Sequence, residues 1–240
     1  MERLTRAERW ARPLERIRDT FDGSTSGQVT AYLASVAQRS LPNYRAFCVD
    51  TQSGDPEFVG WVVATVWRQV VNRTLDYGTL ANLSRRVQPL VPEDGTFASA
   101  YTELARYALS AIDLALRSLS RSNVDDVATA SVLSLESTYR YLTVVTTRIV
   151  PHVPTRESQL EETAWILGSP MLAFEIQRLE RDASVACERD VVTRELVEKL
   201  RSDEEYEGVA PFRRGLIKTP RADADARAAT PPRAPRRRSW

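Results

Sequence analysis

The sequence predicts an all-α protein: an antiparallel helical bundle with an extra long C-terminal helix and a disordered basic tail. Three observations predict it. Apolar residues recur at steps of three and four through most of the chain, the period of a helix with one buried face. Prolines and short capping side chains stand where those periodic runs start and stop. Beyond residue 208 the pattern gives way to arginine, proline and alanine.

Taken in order, Leu4, Ala7, Ala11, Leu14, Ile17 and Phe21 follow helical spacing, with Pro13 imposing a break or a fresh start. Val29, Tyr32, Leu33, Val36 and Ala37 share a face, and Pro42 is expected to stop that helix. Asp55-Pro56-Glu57 starts the next one: a capping carboxylate, a proline at the first helical position and an acid in the first turn. The run from Phe58 to Trp67 is apolar on nearly every face, which marks it as the buried centre, with Trp61 and Trp67 in the core. Gln88 to Thr96 reads as a loop from its prolines and glycine.

Phe97, Tyr101, Leu104, Ala108, Ile112, Ala115 and Leu119 then step without a lapse. Asn123 caps the following helix, with Asp125 and Asp126 in its first turn, and Val124, Val127, Leu135, Thr138, Leu142, Val145 and Ile149 share a face. Joined by so short a break, these two helices pack antiparallel. Pro151-His-Val-Pro154 ends the pair, and Ser169-Pro170 opens the last helix. Its Leu172, Ile176, Leu179, Ala183, Ala186, Val197 and Leu200 approximate a heptad seam broken at Asp190, with Glu and Arg as a solvated flank. Continuous to Arg201, it would outreach a small bundle and touch another subunit.

The chain therefore divides into a helical body, residues 1–208, and a basic arm, residues 209–240. The arm holds nine basic and two acidic residues, a net of +7, and leaves the body at −6. It has too little apolar surface to offset its ordering entropy, so disorder is expected. Of the 240 residues, 42% are apolar and the net charge is +1, so total charge selects no partner. All but Lys199 and Lys218 of the 33 basic residues are arginine, consistent with planar, bidentate phosphate binding or with coding bias. Cys48 and Cys187 stand alone, which suits a reducing compartment. The N-terminus lacks the apolar stretch of a signal peptide, and the longest apolar run is about half a membrane span.

One histidine and two cysteines exclude most metal sites and most histidine-based catalysis. His152 lies between two prolines with no nucleophile elbow anywhere in the chain, and the nine glycines form no phosphate cradle. The expectation is a protein that is no enzyme and has no metal and no cofactor. The basic clusters are the better candidates: Arg85 and Arg86, Arg213 and Arg214, and Arg236, Arg237 and Arg238 suit sequence-independent phosphate contacts. Arg85 and Arg86 also suit a helix C-terminus, where cations complement the dipole. The tail triplet also suits a nuclear-localisation signal or an idle charged end.

Arg121-Ser-Asn-Val-Asp-Asp-Val-Ala-Thr129 resembles the start of the RNA-proximal helix in tobamovirus coat proteins. Asp55-Pro-Glu-Phe58, Ser99-Ala-Tyr-Thr102 and Arg9-Trp-Ala-Arg12 resemble short benyvirus coat segments. These stretches cover about a tenth of the chain, which is longer than such coats by a helical segment, residues 155–201, and by the basic arm. The resemblance implies a coat or nucleocapsid subunit of a rod-shaped RNA virus, polymerising with copies of itself around single-stranded RNA. Arg85, Arg86 and Arg121 would then face phosphates, with Asn123, Asp125 and Asp126 as a helix cap and carboxylate switch. The location would be the virion and the host cytoplasm, or the nucleus through the basic tail, with no membrane contact. The alternative is a helical adaptor with a Bcl-2-like buried central helix and a basic docking tail.

Overall fold

Among residues 6–72, 74, 76–93, 95–149 and 156–201, which this computed structural model describes, the chain forms nine α-helices and no strand. They are α1 (Arg6–Thr20), α2 (Ser26–Thr51), α3 (Pro56–Asn72), α4 (Tyr77–Val87), α5 (Thr102–Ser118), α6 (Val124–Ile149), α7 (Arg156–Leu167), α8 (Pro170–Ala186) and α9 (Arg194–Arg201). The all-α bundle is as the periodicity requires. The basic arm, its arginines and Pro151–Pro154 with His152 lie outside the described residues.

The centre is α2, not the Phe58–Trp67 helix. Residues 27–37 are buried on every face, and α2 packs against α3, α5, α6, α8 and α9. A capping box starts it: the Thr25 hydroxyl accepts from the Gln28 N–H, and the Gln28 side chain accepts from the Thr25 N–H at 2.6 Å. Pro42 does not stop the helix, although it removes the N–H that would have bonded one turn back. Leu41, Tyr44 and Phe47, all at most 3% exposed, hold both sides of the proline in the core. Pro13 likewise stands inside α1, where Trp10, Pro13 and Ile17 are buried and Ala11 is exposed.

Asp55 starts α3 as the sequence requires, its carboxylate accepting from the Phe58 N–H at 2.9 Å. That helix lies on the flank of α2, burying Val59, Val62, Val63, Val66 and Trp67 and turning Trp61 outward, 48% exposed. Trp61 stacks on Phe58, whose ring also carries the Arg86 guanidinium. Trp61→Ala is therefore expected to cost about 1 kcal/mol or less in urea unfolding, against roughly 3–5 kcal/mol for a core tryptophan.

Asp76 caps α4, accepting from the N–H and the hydroxyl of Thr79, both at 2.9 Å, and these bonds hold its carboxyl below its ordinary value. A depressed native pKa gives stability that is present above the unfolded value and lost as pH falls through the native one. Asp76→Ala should lower the melting temperature near neutrality and flatten the decline below about pH 4. Melts across that range check both.

The last seam is interrupted around Asp190 as the sequence suggested, and both pieces fold onto the chain's own core. The α8 helix ends at Ala186, residues 187–193 turn, and α9 follows. Thr25 and Gln28 donate to the Asp190 and Arg189 carbonyls, which docks this turn on the start of α2. Leu172, Leu179, Ala183, Ala186, Val197 and Leu200 are all buried within the chain's own core.

Candidate functional site

Two places concentrate polar chemistry. The first is a buried layer where α2, α6 and α8 meet. Each helix brings a polar stripe at helical spacing: Ser35, Arg39 and Asn43 from α2, Ser131, Ser134 and Ser137 from α6, and Glu175, Arg178 and Asp182 from α8. The Arg39 Nη1 is paired to Asp182 Oδ2, which also accepts from Ser35 at 3.0 Å. Glu175 accepts from Ser134 at 2.6 Å and lies 3.8 Å from Arg39 Nε. Burial pulls the Arg39 pKa down, but the charges of Asp182 and Glu175 outweigh it and hold the guanidinium above its ordinary value. Next to this cluster, Tyr32 and Ser131 share a hydrogen bond of 2.6 Å, and burial pushes the Tyr32 phenol up. Closed from solvent and balanced in charge, the layer sets the register of three helices and admits no substrate.

The second is open. A groove of about 660 Å³ runs between α1 and the corner where α7 gives way to α8. Its floor is apolar: Trp10, 4% exposed and edge-on to Tyr139, with Leu167, Leu172 and Ile176. Its rim is charged. Arg9 and Arg12 stand exposed on consecutive turns of α1, with Glu8 beside them, so the rim is net positive. Arg9 donates to the Leu167 carbonyl at 3.1 Å, which ties α1 to the end of α7 and fixes one wall. Ser169 caps α8 on the opposite wall, its hydroxyl accepting from the Met171 N–H at 3.3 Å. The positive end of that helix dipole adds to the same field. A volume of this size, apolar within and cationic at the edge, suits an organic anion with an apolar body.

The residues singled out in the sequence fall elsewhere. Arg85 and Arg86 occupy the last turn of α4, as the helix-dipole reading anticipated, Arg85 over the Ala81 carbonyl and Arg86 over the Phe58 ring at 4.1 Å. Arg121 is exposed in the turn between α5 and α6. Asn123 caps α6, accepting from the Asp125 N–H at 3.1 Å. Asp125 faces Arg18 at 3.8 Å, both exposed. Cys48 and Cys187 are free thiols, each raised by burial. Among the described residues no cluster of His, Cys, Asp and Glu could hold a metal ion, and no helix is long and apolar enough to cross a membrane.

Sequence reasoning missed both places. The buried layer is hidden in the sequence because the charged residues of α8 look like a solvated flank. The groove needs α1 and α8 side by side, a pairing that neither helix's own sequence announces.

A family model described as "Protein of unknown function (DUF416)" matches residues 23–211. In structure the chain is similar to a DUF416 family protein from the bacterium Shewanella baltica OS155, with a TM-score of 0.64 and 21% identity. The alignment covers 79% of this chain and 91% of that one, and at this identity it bears on the fold alone. No curated protein matches. These findings overturn the coat-protein resemblance, and with it the capsid function, RNA packaging and the virion location: the kinship is with a family that has a bacterial member. The phosphate-facing role of Arg121 and the carboxylate switch at Asp125 and Asp126 rested on that resemblance, whereas the phosphate contacts read from the Arg85-Arg86 doublet and the Asn123 cap came from the residues themselves. The adaptor alternative rested on a buried Phe58–Trp67 helix, which the outward face of α3 removes.

Proposed function

We propose a binding function, and the premise is kinship: the chain belongs to the DUF416 family, whose members are described as proteins of unknown function. The protein is a non-catalytic receptor for a small organic anion, held in the groove between α1 and α8. The observation that carries this reading is the lining itself. Trp10, Leu172 and Ile176 make a floor for an apolar body, and Arg9 and Arg12 stand at the edge for a carboxylate or phosphate. The α8 wall lies inside the segment matched by the family model and the α1 wall lies before it.

The test is titration of the full chain with octanoate and octyl phosphate, using octanol as the neutral control and the melting temperature and calorimetry as readouts. Both anions should raise the melting temperature more than octanol does. Arg12→Glu should weaken them by at least about tenfold, the loss of one charge-assisted contact. Equal response to octanol, or affinity untouched by Arg12→Glu, would refute the groove as an anion site.

A further inference from the structure

The buried layer contains a second, small cavity, with room for the centre of a single water molecule, about 10 Å³, between Arg39, Asn43, Ser137 and Glu175. Arg39 is 8% exposed and Asn43 1%. Asp182 takes Arg39 Nη1, but Nε and Nη2 have no hydrogen-bond partner among the described residues, Glu175 at 3.8 Å being too far. The Asn43 amide nitrogen donates to Ser137 at 2.9 Å, while its Oδ1 has no partner among them. Buried polar groups in folded proteins are almost always paired, by protein or by ordered water. Two donors and one acceptor around one cavity therefore specify what completes them.

We propose that this cavity is the binding site of one structural water, which accepts from Arg39 and donates to Asn43 Oδ1. Charge and hydrogen bonding exclude the other small occupants. A cation meets the Arg39 and Arg178 guanidiniums, and a simple anion, though those two would attract it, meets Glu175 and has no proton to give the Asn43 oxygen. A neutral molecule that both gives and takes hydrogen bonds satisfies all three orphan atoms, and the volume limits it to water. The bound water joins α2 to the α6–α8 layer, so it is part of the device that registers these helices and not a guest of the open groove.

A crystal structure of the full chain at high resolution tests this. The expected result is a well-ordered water within hydrogen-bond distance of Asn43 Oδ1 and of Arg39 Nε or Nη2. Featureless density there, an ion, or a side chain rotated in to pair those atoms would overturn it. In solution, magnetic relaxation dispersion counts slowly exchanging internal waters. Asn43→Leu removes the acceptor and fills the space, so the count should fall by one per molecule, and an unchanged count would also overturn it. Should that variant fail to fold, the crystal structure of the unaltered chain decides alone.

Discussion

Asp182→Ala is expected to destabilise the protein by about 3–5 kcal/mol, because it strands the Arg39 guanidinium in the interior. Asp182 is 1% exposed and is the carboxylate paired to Arg39 Nη1. Its removal also takes the acceptor of Ser35 and of Arg181, at 3.0 and 3.1 Å. The pair itself contributes little net stability, since bringing both charges out of water costs nearly what their attraction returns. The double variant Arg39→Met with Asp182→Leu should therefore recover most of the loss, and urea unfolding of the three variants measures it. A single-variant cost near the ordinary surface range would show that the pair is not sealed from solvent. Recovery is the sharper result, because it separates an uncompensated charge from lost packing.

The second large effect is expected at Phe21→Ala, about 3–5 kcal/mol, the range for deleting a buried aromatic ring. Phe21 is fully buried just past the end of α1, its ring edge-on to Tyr32 of α2 with centroids 5.2 Å apart. It pins the end of the first helix to the central one, while α1 itself packs on α6 and α8. Since α1 supplies Arg9, Trp10 and Arg12 to the groove, any folded Phe21→Ala protein should also bind octanoate more weakly. Wild-type stability with lost binding would place Phe21 in the groove and not in the core.

Much of the fold was legible because helix starts are written in local chemistry. Asp55-Pro56, Asn123 with two acids, and Ser169-Pro170 each begin a helix where the sequence put it. The same chemistry misled at the level of family. Asn-Val-Asp-Asp-Val is what a capped helix start looks like in many proteins, and its likeness to a coat segment carried cap physics and not ancestry. Helix stops were harder to read. Pro42 fails to end α2 because core burial on both sides outweighs one lost hydrogen bond.

Which helix lies at the centre was not legible from hydrophobicity. The Phe58–Trp67 run is the more apolar, yet α2, with Gln28, Ser35, Arg39 and Asn43 among its buried residues, is the one surrounded. Those polar residues are buried because partners from α6 and α8 face them, and no single helix reveals its partners. The spacing of Glu175, Arg178 and Asp182 on the stripe of Leu172 and Leu179 was the available signal. Charged residues at the buried period of a helix ask for a matching stripe elsewhere, and Ser35, Arg39 and Asn43 supply it. The groove had no comparable signal, since Arg9 and Arg12 become a rim only when α8 lies beside α1.

The most direct test of the groove is a crystal structure of the full chain grown with octanoate. The account predicts the carboxylate within hydrogen-bond reach of Arg9 or Arg12 and the alkyl chain over Trp10 and Ile176. Octanoate bound elsewhere, or a groove closed by the chain's own residues, would contradict it.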